Sequence, residues 1–82
     1  MILVIKVNEF RLYDGEFVKP VTDLLDNFKV VDYRKISKKD LVEAEKIIIC
    51  GTALKDNEYF NHLDKFSWLK NFKKPVLGIC AG

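Results

Sequence analysis

The sequence predicts an α/β protein built around a mostly parallel β-sheet. Four short runs rich in aliphatic and β-branched residues fall at 2–7, 29–33, 46–50 and 76–80. Polar or helix-patterned segments separate these runs. The first run has no polar alternation over its first four residues, which is typical of a strand covered on both faces. Strands that alternate with helices in this way are joined by right-handed crossovers into a parallel sheet.

The first predicted helix follows a turn at Asp14-Gly15. Pro20 suits its first turn, because the amide hydrogen that proline lacks has no partner at that position. The helix has an apolar stripe with the spacing i, i+3, i+4, i+7: Val21, Leu24, Leu25 and Phe28. We expect it to end near Asn27, before the strand at 29–33.

The second predicted helix begins with a capping signal. Ser37 can cap its first turn, and Asp40 stands where a capping box has an acid. The apolar residues of this helix are Leu41, Val42 and Ala44. The strand at 46–50 follows, and residues 51–57 have the composition of a loop.

The third predicted helix covers 58–72 and carries many aromatic residues among lysines. Trp68 and Phe72 form an i, i+4 pair, and Pro75 separates the helix from the strand at 76–80. We interpret the mixture as a core-packing helix with a solvated basic rim rather than a nucleic-acid surface. The apolar surface of Trp68 is larger than the packing of one sheet face requires, so a contact with a partner protein remains an alternative role for it.

Composition and charge exclude several classes of protein. With 49% hydrophobic and 32% charged residues, the chain has the composition of a soluble globular domain. A net charge of +2 is too balanced to predict a partner nucleic acid or an anionic membrane. The start of the chain lacks a signal-peptide cleavage site, so we expect a cytoplasmic protein with reduced cysteines. Two cysteines and one histidine lack metal-ligand spacing, so we expect no metal and no cofactor.

One motif carries a prediction about chemistry. Gly78-Ile79-Cys80-Ala81-Gly82 has the form G-x-C-x-G after an apolar strand, the cysteine version of a nucleophile elbow. In this turn the residues two before and two after the nucleophile come close together, which requires glycine at 78 and 82. Cys80 is therefore the predicted nucleophile, at the carboxyl end of an interior strand. The amide of Ala81 can donate to an oxyanion. For a cysteine considered alone, a small buried core residue is the simpler interpretation.

Residues 74–82, K-P-V-L-G-I-C-A-G, resemble the nucleophile segment of class I glutamine amidotransferase domains. Residues 46–52 resemble the third strand of that family and the loop that supplies its second oxyanion amide, here from Gly51 or Thr52. The resemblance implies a three-layer sandwich with a mostly parallel, flavodoxin-like sheet. Residues 1–82 would be its amino-terminal half, with about four strands. It also implies that Cys80 hydrolyses the side-chain amide of glutamine and that the ammonia passes to a separate synthase.

The sequence departs from the family pattern at two places. The family usually has G-G-P-G or a close relative in the oxyanion loop, and this chain has Gly51-Thr52-Ala53-Leu54. The catalytic histidine and glutamate of the family lie after the elbow. We therefore expect the remaining half of the domain, or a second chain, to complete the site, and residues 1–82 alone to be inactive.

Two alternatives remain open. Intracellular peptidase-like and glyoxalase-like proteins also use a cysteine elbow, and in them a glutamate near the first strand contacts the cysteine. Glu9 and Glu16 are the candidates for that role here. A flavodoxin-like module that only binds a partner is the non-enzymatic alternative.

Other chemistry-bearing residues favour structural roles. His62, the only histidine, lies on the helix before the nucleophile strand, and nothing in the sequence brings it within reach of Cys80. Cys50 ends a strand without any feature that would lower its pKa. Asn8, Glu9 and Asp14 follow the first strand, and we expect them to form a solvated polar loop.

Overall fold

The computed structural model describes residues 1–53 and 55–79, and its centre is a four-stranded sheet. The strands are β1 (Ile2–Lys6), β2 (Phe28–Asp32), β3 (Lys46–Ile49) and β4 (Val76–Gly78). Their order is β2-β1-β3-β4, and all three pairings are parallel. The prediction of an α/β protein with a parallel sheet is confirmed.

β1 is the centre of the core. Its Leu3, Val4 and Ile5 have no exposed surface, because β2 and β3 flank the strand and helical segments cover both of its faces. This burial explains why the strand has no polar alternation: a residue on either face is removed from water.

The connections between strands contain short helices of several types. Between β1 and β2 the chain forms a 3-10 turn at Arg11–Tyr13, a π-helical turn at Asp14–Val18 and the helix α1 at Lys19–Thr22. Between β2 and β3 it forms a 3-10 turn at Tyr33–Lys35 and the helix α2 at Lys38–Glu43. A 3-10 helix at Glu58–Lys70 precedes β4.

The connections lie on two faces of the sheet. Val18, Val21 and Leu25 of the first connection pack with Val4 and Cys50 on one face. The second and third connections cover the other face, where residues such as Leu41 and Phe66 pack against Leu3, Ile5 and Ile47. This change of face accompanies the change of direction in the sheet, as right-handed crossovers require.

The first helix is shorter than predicted, and only Val21 and Leu25 of its predicted apolar stripe pack against the core. Pro20 does lie in the first turn of α1, but the helix ends at Thr22, and Leu24 is 85% exposed. Phe28 is not helical, because it begins β2 opposite Ile2. Strand pairing thus prevails over the helical spacing that the sequence shows.

The predicted capping box of α2 is confirmed. The Ser37 hydroxyl accepts a hydrogen bond from the Asp40 amide, and the Asp40 carboxylate accepts one from the Ser37 amide, both at 3.1 Å. Lys29 of β2 donates to the other Asp40 oxygen at 2.6 Å. This hydrogen bond lowers the pKa of Asp40, and it raises the pKa of Lys29.

The helix before β4 is a 3-10 helix with a kink at His62, where the backbone leaves helical geometry. The predicted Trp68–Phe72 pair is present as an edge-to-face contact with ring centroids 5.6 Å apart. In the described part of the chain β4 pairs on one side only, with β3, and Leu77 is 59% exposed. That β4 is an interior strand of the complete domain stays a prediction.

Candidate active site

The carboxyl ends of β3 and β4 meet at one edge of the sheet. Ile49 lies opposite Gly78, and the Ile79 amide donates to the Ile49 carbonyl at 2.9 Å. The segments that follow the two strands therefore leave the sheet side by side. The predicted nucleophile Cys80, oxyanion donor Ala81 and second elbow glycine Gly82 lie outside the described residues, as does Leu54 of the predicted oxyanion loop.

Gly78 is the last residue of β4, directly before the predicted elbow. Its φ is not in the left-handed region, and a Cβ at this position would contact none of the described atoms within 4 Å. Residues 1–53 and 55–79 therefore give no steric reason for glycine here. The requirement for glycine at this position therefore rests on the elbow hypothesis and not on a contact among the described residues.

The predicted oxyanion segment after β3 is buried. Gly51 is buried, and Thr52 has no exposed surface. The Thr52 hydroxyl has no hydrogen-bond partner among the described residues. The family resemblance assigns a role only to the backbone amide of Thr52, so its buried hydroxyl is an additional polar group at this edge.

Asp56 holds the loop after β3 against the loop after β1. Asp56 is 1% exposed, and its two carboxylate oxygens share the Glu9 N–H at 2.8 and 2.9 Å, while one of them also accepts from the Phe10 N–H at 3.0 Å. Sequence reasoning missed this residue. An aspartate in a polar loop carries no local signal that its partners lie 47 residues away.

A second polar cluster follows β1. Asn8 is only 2% exposed, and its amide nitrogen donates to Asp14 at 2.6 Å and to the Phe10 carbonyl at 3.0 Å. Lys6 pairs with Asp14 at 3.0 Å. Burial raises the pKa of Asp14, but the hydrogen bonds from Asn8 and Lys6 outweigh it, so the net pKa is lowered. The expectation of a solvated loop is wrong for Asn8.

Glu9 points towards β2 rather than towards β4. Its carboxylate pairs with Arg34 at 2.9 Å, and Arg34 also pairs with Asp32, the last residue of β2, at 3.0 Å. Glu16 is exposed in the π-helical turn of the first connection. β1 and β3 lie between β2 and β4, so the partner of Glu9 is at the far side of the sheet from the predicted elbow.

Cys50 has the environment of a structural thiol. It is 1% exposed and packs against Val4 and Val18, and burial raises the pKa of its thiol. A raised pKa disfavours the thiolate, which is the reactive form. Cys50 also lines an apolar cavity of ≈ 340 Å³, together with residues of the 3-10 helix and with Ile79.

His62 lies beside residues at the end of β2. Its ring centroid is 6.3 Å from that of Tyr33, and its Nε2 is 3.3 Å from a carboxylate oxygen of Glu58. Tyr33 directly follows β2, the strand farthest from β4 in the described sheet. These contacts agree with the structural role that the sequence analysis gave to His62.

Within residues 1–53 and 55–79 there is no cluster of side chains that could hold a metal ion. None of the described helices is long and apolar enough to cross a membrane. No known protein family, curated protein or solved structure matches the chain. Its function must therefore be argued from the geometry at the carboxyl edge of the sheet.

Proposed function

We propose that this chain carries the nucleophile of a class I glutamine amidotransferase-like enzyme, with Cys80 attacking the side-chain amide of glutamine. The observation that carries the proposal is the parallel register of Ile49 with Gly78. In a parallel pair with this register, the segment Gly51-Thr52 and the G-x-C-x-G motif leave adjacent strands at the same edge. A nucleophile and a second oxyanion donor require this proximity.

The strand order supports a flavodoxin-like, three-layer architecture for the domain. The order β2-β1-β3-β4 is that of the first four strands in a flavodoxin-like sheet. Helical segments pack on both faces of the sheet, as three layers require. In such sheets ligands bind outside the carboxyl ends of the strands, the edge at which the motif begins.

In the proposed reaction, the thiolate of Cys80 forms a bond with the amide carbon of glutamine. The amides of Ala81 and of Gly51 or Thr52 donate to the tetrahedral oxyanion. The intermediate expels ammonia after a proton reaches the nitrogen, which leaves a thioester. Water then attacks the thioester and releases glutamate, and the ammonia is available to a synthase. Loss of one such oxyanion donor generally costs about 10²–10³ in rate.

The proposal requires a base for the Cys80 thiol. His62 contacts Tyr33 and Glu58, so it is not our candidate. By resemblance, the base is a histidine oriented by a glutamate, from the other half of the domain or from a second chain. Free thiols are kept reduced in the cytosol, which favours a cytoplasmic location for the proposed enzyme.

The decisive experiment measures glutamate and ammonia release from glutamine. We would purify the full-length gene product from its own cells so that any bound partner is retained, and compare Cys80→Ala with the matched variant Cys50→Ala. We expect Cys80→Ala to abolish turnover and Cys50→Ala to retain it, since only Cys80 has elbow context. Turnover that survives Cys80→Ala would refute the proposal. So would activity on an α-oxoaldehyde or a peptide with none on glutamine.

Covalent labelling provides an independent measurement. A diazoketone mimic of glutamine should modify Cys80 and spare Cys50, because burial raises the pKa of the Cys50 thiol. Mass spectrometry of the two cysteine peptides identifies the labelled residue. Label on Cys50 alone would contradict the assignment of the nucleophile.

A further inference from the structure

An open apolar groove lies between α2 and the end of the 3-10 helix, on the face that these two segments cover. Its volume is ≈ 520 Å³, and its apolar surface comes from Leu41, Val42, Trp68 and Phe72. Val42 is 68% exposed, although Leu41, the residue before it in α2, packs against the core. The groove therefore offers aliphatic and aromatic surface that the described chain does not cover.

The charged residues of this groove have one sign. The described residues that line it include Lys38, Lys73 and Lys74 and no carboxylate. The Lys74 ammonium is fixed, because it donates to the carbonyls of Val42 at 2.9 Å and of Ala44 at 2.7 Å. Lys38 and Lys73 make no ion pair with any described residue. A ligand that fits must therefore combine apolar groups with negative charge.

We propose that this groove binds an acidic amphipathic helix of a partner protein. Such a helix lays apolar side chains at i, i+3, i+4 and i+7 into a groove and presents carboxylates along its sides. A small anionic ligand fits less well, since small-molecule sites enclose most of the ligand surface and this groove is open. The carboxylates of the helix meet the three lysines, while its apolar stripe covers Val42 and Trp68.

The groove is separate from the candidate active site. Ala44 precedes β3 and Lys74 precedes β4, so the ammonium of Lys74 lies at the amino-terminal edge of the sheet. The predicted nucleophile follows β4 at the opposite edge. The proposal consequently does not depend on glutamine hydrolysis, and either can fail without the other.

Trp68 makes the test direct, because it is the only tryptophan of the chain and lines the groove. The probe is a blocked peptide of about 15 residues, long enough to form a helix, with a Leu/Phe stripe and glutamate elsewhere. One control peptide has the same composition in scrambled order, and a second has lysine in place of glutamate. We expect only the acidic peptide with the intact apolar stripe to cause a saturable change in Trp68 fluorescence. Added salt should weaken the binding of this peptide.

Charge-reversal variants identify the surface. The double variant Lys38→Glu/Lys73→Glu should weaken binding by about tenfold, from the usual size of exposed ion pairs. Lys35→Glu, an exposed lysine outside the groove, should leave binding within about twofold. Circular dichroism checks that each variant is folded. Equal binding by the double variant, equal binding of the scrambled peptide, or a response to an oligoribonucleotide but not to the peptide would each overturn the proposal.

Discussion

Replacing Asp56 with alanine removes the carboxylate that joins the loop after β3 to the loop after β1. Asp56 accepts from two amides: the Glu9 N–H is shared between both carboxylate oxygens at 2.8 and 2.9 Å, and the Phe10 N–H donates to one of them at 3.0 Å. The carboxylate is 1% exposed, whereas both amides belong to exposed residues. After substitution, water can therefore partly hydrate the two amides. The loss in free energy of unfolding is then smaller than it would be if both donors stayed fully buried without an acceptor.

The expected loss follows from these contacts. A hydrogen bond to a charged group contributes about 1.5–3 kcal/mol, and partial rehydration offsets part of the sum. We expect Asp56→Ala to lower the free energy of unfolding by about 2–3 kcal/mol. A domain of this size has roughly 4–12 kcal/mol of stability. The melting temperature should therefore fall by roughly 10–20 °C.

Urea unfolding and amide hydrogen exchange test this prediction together. Asp26→Ala is the matched control, because Asp26 is an exposed aspartate and such substitutions usually change stability by less than about 0.5 kcal/mol. Asp56→Asn, which keeps one carbonyl oxygen as acceptor, should give an intermediate loss. Exchange at the amides of Glu9 and Phe10 should accelerate in Asp56→Ala. If Asp56→Ala unfolds like Asp26→Ala and the two amides keep their protection, Asp56 does not join the loops.

Three further predictions concern the elbow, the capping box and the buried thiol. Gly78→Val should abolish glutamine turnover in the full-length gene product, because the proposed elbow requires glycine two residues before the nucleophile; a fully active variant would contradict the elbow. Gly15→Ala, where a Cβ meets no described atom within 4 Å, is the control and should leave turnover unchanged while raising the free energy of unfolding by about 0.4–1 kcal/mol. Asp40→Asn should cost about 1–2 kcal/mol at pH 7. Because the folded-state pKa of Asp40 is lowered, its contribution is present above the unfolded-state pKa and is lost as the pH falls below about 4. The difference in urea midpoint between Asp40→Asn and the wild type should therefore be smaller at pH 3 than at pH 7, and an equal difference at both pH values would argue against this linkage. Cys50 should react with iodoacetamide at pH 8 far more slowly than a free thiol, since burial raises the pKa of its thiol. Peptide mass spectrometry after timed quenching measures the rate, and alkylation as fast as that of a free thiol would contradict the prediction.

The parts of the fold that the sequence predicted depend on local interactions. The capping box needs only Ser37 and Asp40, three positions apart, and the structure has both of its hydrogen bonds. The burial of β1 follows from its unbroken aliphatic run, since such a run is stable only with cover on both faces. The parallel class of the sheet follows in turn from the alternation of such runs with helical segments.

The parts that the sequence did not predict depend on contacts between distant residues. Phe28 has the spacing of a helical residue, but pairing with Ile2 assigns it to β2. Asn8 has the sequence context of a solvated loop residue, but it is 2% exposed, and its side-chain nitrogen donates to Asp14 and to the Phe10 carbonyl. At the candidate site, the predicted parallel sheet implied that the segments after β3 and β4 leave at the same edge, whereas the observed strand order is what makes the two strands neighbours. The Asp56 contact did not, because no local pattern specifies it.

The position of Asp56 bears on where this edge of the sheet can bind a ligand. In open parallel sheets the favoured crevice lies where consecutive connections leave on opposite faces, which here is between β1 and β3. In this protein the Asp56 carboxylate occupies the amides of Glu9 and Phe10 at the end of β1, so these donors are already satisfied from within the chain. Our proposal therefore assigns the substrate to the neighbouring pair, β3 and β4. That pair is followed by Gly51-Thr52 on one side and by the G-x-C-x-G motif on the other, and the satisfied amides after β1 leave this pair as the consistent location for the proposed elbow.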